Sequence, residues 1–147
     1  MRDIMLWILF IGNIWLLVML YIFLLDMKDT TSSFVSHTLN VITTPVPLFA
    51  LCNGLLLTHM YVGVFIETSI ASAALGMGGG LMLGSLYDRD GAVVGISNGF
   101  LAGIMAPILG EISGRSSLIL FFSQFIFFMV LFYFRFRAQK QQGPDPI

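Results

Sequence analysis

Charge is what this sequence has least of. Lys and Arg together number 7 and Asp and Glu 8 among 147 residues, a net charge of -1, which offers no field to draw in a nucleic acid. Cysteine occurs once, at Cys52, so no internal disulfide forms and the redox compartment stays open. The H-E-x-x-H pair of zinc hydrolases and the glycine–lysine phosphate loop are both missing. Ser, His and Asp do not group at one membrane depth. The sequence therefore presents no carrier for catalysis, calls for no cofactor, and predicts a protein that is not an enzyme. What it has in quantity is apolar: 57% hydrophobic residues and a mean hydropathy of +0.92 exclude a water-soluble globule. They predict an all-α integral membrane protein, a single transmembrane domain over residues 1–147.

The span limits follow from length and punctuation. The apolar stretch from Ile4 to Leu25, with Asn13 inside it, is 22 residues long, longer than the core of a cleavable signal, and ends at Asp26-Met27-Lys28-Asp29 with no small-x-small site. This is the first span. A polar stretch follows to Thr44, where Thr44 as cap and Pro45 in the first turn start a new helix. Val46 to Tyr87 is then 42 residues, ~63 Å as one helix at 1.5 Å per residue and about twice the hydrocarbon thickness, so it must fold back. Glu67-Thr68-Ser69 is the expected reversal, because Thr68 or Ser69 can cap and Glu67 meets a positive helix end. The expected spans are 4–25, 47–66, 69–87, 91–110 and 118–134, with a polar tail over 135–147. Four spans plus a re-entrant segment is the alternative.

In the five-span reading Lys28, Arg89, Arg135, Arg137 and Lys140 share one side against Arg2 and Arg115. Positive charge favours the cytoplasm, so the C-terminus is expected there. The four-span alternative sets Arg2, Arg89, Arg135, Arg137 and Lys140 against Lys28 and Arg115, again five to two, and keeps the C-terminus on the same side.

Glycine is the second abundance. Ser72, Gly76, Gly80 and Gly84 recur at steps of four, and so do Gly91, Gly95, Gly99 and Gly103. On a helix each set makes a smooth groove along one face, and such grooves let membrane helices approach closely where lipid gives no hydrophobic drive. A short charged turn separates the two, which predicts a tight helical hairpin, a glycine zipper. Ala102, Ala106 and Gly110 form an adjacent stripe, and Pro107 is placed to kink the fourth span. General helix packing accounts for both registers; the functional reading is that the grooves join subunits or line a pathway.

Polar residues inside spans are costly and sometimes mark solute routes. Glu67, Asn98 and Glu111 are the candidates for an ion pathway. Each also has a structural reading: Glu67 as a turn carboxylate, Asn98 as an interhelical hydrogen-bonder, and Glu111 as the i, i+4 partner of Arg115. A copper(I) reading would draw on Cys52, His59, Met60 and Met77, since thiolate, imidazole and thioether are soft donors. No M-x-x-M or C-x-x-C occurs and methionine packs apolar segments routinely, so the expectation is no metal.

At 98–112, NGFLAGIMAPILGEI, the positions Gly99, Ala102, Gly103, Met105, Leu109 and Gly110 follow G-x-x-A-G-x-M-x-x-x-L-G. In this the third and fourth spans resemble small, uncharacterised Gly- and Met-rich bacterial multi-span membrane proteins. The resemblance implies a bacterial cytoplasmic (inner) membrane and a link to metal handling; fewer methionines and Pro107 depart from the pattern and weaken the metal link. The expected function is non-enzymatic, acting through helix packing as a small subunit or assembly factor of a membrane complex or as a homo-oligomer. The expected partners are the lipid bilayer and other membrane subunits, with no nucleic acid. The alternative is a transporter or channel for a small cation or metal along the glycine-lined hairpin.

Overall fold

The computed structural model describes residues 1–28 and 43–141, and among them every regular element is an α-helix. These are α1 (Arg2–Lys28), α2 (Pro45–Met60), α3 (Phe65–Gly84), α4 (Arg89–Ile112) and α5 (Ser117–Gln141). Residues 142–147 of the expected tail lie outside the described residues. Segments Asp3–Asp26, Phe65–Gly84, Arg89–Ile112 and Ser117–Phe136 are each long and apolar enough to cross a membrane, while Pro45–Met60 is apolar but shorter.

Outward faces are apolar. On α1, Ile4, Ile8, Ile11, Trp15 and Ile22 are exposed, whereas Leu6, Asn13, Leu17, Leu20 and Leu24 face inward. On α5, Phe121, Phe122, Phe125, Phe132 and Phe136 point out. Polar side chains are instead buried: Asn13, Asn53, Thr58, Thr68, Ser72 and Gln124. A water-soluble bundle distributes these groups the other way, because in water the apolar stripe must be the hidden one.

Two clusters at opposite ends fix the directions of the helices. One joins Leu17, Leu20 and Leu24 of α1 to Val46 and Phe49 of α2, Leu83 of α3 and Phe127 of α5. The other joins Leu6 of α1 to Leu55 and Leu56 of α2 and Leu120 of α5. Hence α1, α3 and α5 run one way and α2 the other, and α4 runs with α2, since Gly99 and Gly91 face Gly76 and Gly84 of α3 in reverse order. The helix α2 sits at the centre, packed against each of the other four, and 11 of its 16 residues are buried.

The chain reverses at different residues from those the sequence points to. The α2–α3 break lies at 61–64, where Gly63 adopts φ +89°, a left-handed conformation that glycine takes without a Cβ penalty. Thr68 Oγ1 donates to Val64 O at 2.9 Å and Ser69 Oγ to Phe65 O at 2.8 Å. They bond back within α3 and cap nothing, and Glu67 is an exposed first-turn residue. Thr44 does occupy the cap position of α2 with proline behind it, but its side chain makes no cap hydrogen bond. Asp88 caps α4, its carboxylate accepting from Gly91 N at 2.6 Å. Pro107 is buried within α4, which continues through it to Ile112.

Candidate functional site

The two glycine registers lie against each other. A Cβ added at Gly76 would fall within 3.0 Å of the Gly99 carbonyl, one at Gly80 would meet the Gly95 carbonyl, and one at Gly84 the Gly91 carbonyl. The reverse holds as well: Gly95 meets Gly80 O, Gly99 meets Gly76 O, and Gly103 meets Ser72 O. Every rung of this antiparallel ladder is backbone on backbone. The glycine hydrogen that stands where a Cβ would be points at a carbonyl across the seam, the geometry of Cα–H···O bonding, worth perhaps 0.5–1 kcal/mol per contact.

The α3–α4 seam is the most extensive between any two helices described. Because the obstacle to a Cβ is a carbonyl of the facing helix and not a flexible side chain, even alanine forces the helices apart at these positions. That is stricter than the tolerance of alanine which small-xxx-small spacing by itself implies.

A second small-residue seam seats α2 on this pair. Ala50, Gly54 and Thr58 recur at steps of four on α2. A Cβ on Gly54 would collide with Ser72 Oγ and with Ala106 Cβ, one on Gly76 would fall 2.9 Å from Ala50 Cβ, and one on Gly110 would lie 2.9 Å from Thr58 Cγ2. The stripe of Ala102, Ala106 and Gly110 is thus the α2-facing side of α4. A Cβ on Gly79, off the main register, would lie 3.0 Å from the Phe49 ring.

Polar links complete the bundle. Asn13 of α1 and Gln124 of α5 pair reciprocally and fully buried: Asn13 Nδ2 donates to Gln124 Oε1 at 3.2 Å, and Gln124 Nε2 donates back to Asn13 Oδ1. Beside them Cys52 Sγ donates to Ser123 O at 3.3 Å, so the thiol is a packed donor within the core. Asn53 Nδ2 donates to Phe49 O at 2.9 Å. Gln124 has no counterpart in the sequence reading; a lone amide inside an apolar run was the available signal.

The three candidate ion-pathway residues do not converge. Glu111 pairs with Arg115 at 2.5 Å on the surface, and Glu67 is exposed at the same end of the bundle. Asn98 is half-buried on α4, 13 residues before Glu111 and hence ~20 Å away along the helix axis. A route between α3 and α4 would require their backbones to part.

The soft donors are likewise dispersed. Cys52 is buried and Met77 exposed, and among the described residues no group of three or more His, Cys, Asp or Glu is placed to hold a metal ion. His59 has both ring nitrogens within hydrogen-bond distance of backbone carbonyls, Nδ1 2.8 Å from Leu55 O and Nε2 2.9 Å from Arg115 O. One further pattern, Gly95-Ile96-Ser97-Asn98-Gly99, spells G-x-S-x-G. It lies inside the continuous helix α4, whereas the hydrolase nucleophile needs a strained strand-to-helix turn to expose its oxygen.

Comparison with protein-family models, curated proteins and solved structures finds no match to this chain.

Proposed function

We propose that the chain is a five-span integral membrane protein whose working part is a glycine zipper between α3 and α4, clamped by α2. It acts without catalysis, as a small subunit or assembly factor of a membrane complex or as a homo-oligomer. The observation that carries this reading is the backbone-on-backbone ladder from Ser72·Gly103 to Gly84·Gly91. A chain that devotes its most restrictive positions to helix contact, under an outward surface of apolar side chains, is built to hold helices in a fixed arrangement.

The directions of the helices support five crossings. Because α1 and α3 run the same way, the chain between them must return across the bilayer. At 16 residues, ~24 Å, α2 is short for a hydrocarbon core of ~30 Å, but its enclosure by the other helices spares it from matching the lipid. Lys28, Arg89, Arg135, Arg137 and Lys140 then gather at one end and Arg2 and Arg115 at the other. That bias supports a cytoplasmic C-terminus, and the resemblance of 98–112 to bacterial sequences supports a bacterial cytoplasmic membrane.

Purification in mild detergent with chemical cross-linking and native mass spectrometry tests the reading. A discrete oligomer or a fixed companion protein is the expected result. Cation or metal flux in proteoliposomes that Glu67→Gln or Asn98→Ala abolishes, in protein that still folds, would replace it with transport.

A further inference from the structure

An outward stripe runs along α4, away from its seams with α3 and α2. Val94, Asn98, Leu101, Met105, Ile108 and Ile112 follow one another at steps of four, three, four, three and four. That is the 3.5-residue average of a coiled-coil seam, with Asn98 at an a position and Leu101 at the d position after it. Leu101, Met105, Ile108 and Ile112 are exposed, and Val94 and Asn98 are half-buried. The small residues that meet α3 and α2, Gly95, Gly99, Gly103 and Ala106, occupy other heptad positions.

Asn98 is the one polar member of this stripe. The helix has 24 residues, which puts Asn98 within ~4 Å of its midpoint along the axis. A span centred on the bilayer holds that residue at the middle of the hydrocarbon. The amide carries two donor hydrogens and an acceptor oxygen, yet among the described residues no hydrogen bond engages it. Lipid tails supply neither donor nor acceptor, and a polar group left unpaired at that depth is costly. Its partner therefore comes from outside the bundle.

A second amide of the same kind answers every one of these groups. Within the bundle Asn13 and Gln124 already show the pairing, each side chain donating to the other's oxygen. Copies of one chain enter the membrane in one orientation, set by the same loop charges. A two-fold axis along the membrane normal then brings two α4 helices together in parallel, and each residue on the axis meets its own equivalent at equal depth. A single asparagine at an a position fixes the register of such a seam.

We propose that the chain forms a parallel homodimer through the Val94–Ile112 face of α4, with Asn98 paired to Asn98 of the second copy at the centre of the bilayer. This deepens the homo-oligomer branch of the proposed function and rests on it.

The test uses the full chain with Cys52→Ser. In native membranes, oxidation with copper phenanthroline should link Leu101→Cys or Met105→Cys into dimers, and should leave Phe100→Cys, exposed on another face of α4, as monomer. In detergent, sedimentation equilibrium of the otherwise unaltered chain should show a dimer whose Kd rises about tenfold in Asn98→Leu, the scale of one polar link between membrane helices, and stays within about threefold in Asn98→Gln, which keeps an amide. Cross-linking at Phe100→Cys equal to that at Leu101→Cys overturns the seam, and so does a dimer that Asn98→Leu leaves unchanged. A discrete oligomer or a fixed companion protein found alongside either result leaves the proposed function standing; a solitary monomer removes both. If Asn98→Leu fails to fold, the cross-links decide alone, since they are read with Asn98 in place.

Discussion

Between α3 and α4 the backbones themselves touch, whereas α1 and α5 are joined by long side chains and one pair of amides. On the first seam Gly80 and Gly95 meet carbonyl to Cα; on the second Leu6 and Leu120 belong to one cluster and Leu17 and Phe127 to the other, with the Asn13–Gln124 pair between them. Near one end Arg135 lies 6.0 Å from the centre of the Phe23 ring. Side chains can repack when one of them changes size, since each has rotamers to spend. A backbone seam has no such freedom. The same bundle thus has one seam that tolerates variation and one that does not, and composition alone does not distinguish them.

The largest effect that tests this contrast is expected at the backbone seam. Gly80→Leu and Gly95→Leu should each destabilise the protein by about 3 kcal/mol or more, because the facing element is a carbonyl that cannot move aside. Unfolding in detergent against rising SDS, with size-exclusion as a check on assembly, measures it. Gly80→Ala should already cost over 1 kcal/mol; a neutral alanine would mean that the helices are further apart than described.

The side-chain seam should respond next. Asn13→Leu or Gln124→Leu alone leaves a buried amide without its partner and should cost about 1–2 kcal/mol. The double variant should cost less than the sum, with a coupling of about 0.6–1.7 kcal/mol as found for polar pairs between membrane helices. Strict additivity in the same SDS unfolding would show that the two amides do not pair.

Smallest of all should be Gly12→Leu and Gly78→Leu, where an added Cβ meets nothing within 4 Å; changes within about 0.5 kcal/mol are expected. Gly63 also has open space, but its φ of +89° makes Gly63→Leu costly through strain, so it is no neutral control. If Gly78→Leu proves as damaging as Gly80→Leu, the outer face of α3 is itself covered in the membrane.

Much of this contrast was legible in the residues. Spacing of four over Ser72–Gly84 and Gly91–Gly103 states which faces are smooth, and the short charged turn between them leaves little choice of neighbour. The cap at Asp88 and the Thr44-Pro45 start are local chemistry and could be read locally. The break between α2 and α3 could not, because Glu67-Thr68-Ser69 offers better capping side chains than Tyr61–Val64, and the deciding feature is the left-handed backbone of Gly63. The end of α5 was also hidden. Arg135 marks where charge begins, but arginine, glutamine and lysine are good helix formers in water, and the helix continues to Gln141. Gln124 pairs with a residue 111 positions away, and nothing periodic in the sequence links the two.

The enclosure of α2 bears on biosynthesis. Among the described helices it is made second, and three of the four that surround it are made after it. It opens on Pro45 and Pro47 and carries Asn53 and Thr58 among its buried residues, so on entering the bilayer it shows lipid the groups that it later hides. The α3–α4 pair, with only 85–88 between its helices, can close as soon as both have been synthesised. The seat formed by Ser72, Gly76, Ala106 and Gly110 then exists for the first time. The central helix is therefore translated early and settled late, and until the hairpin forms, the insertion machinery or the lipid must keep it waiting.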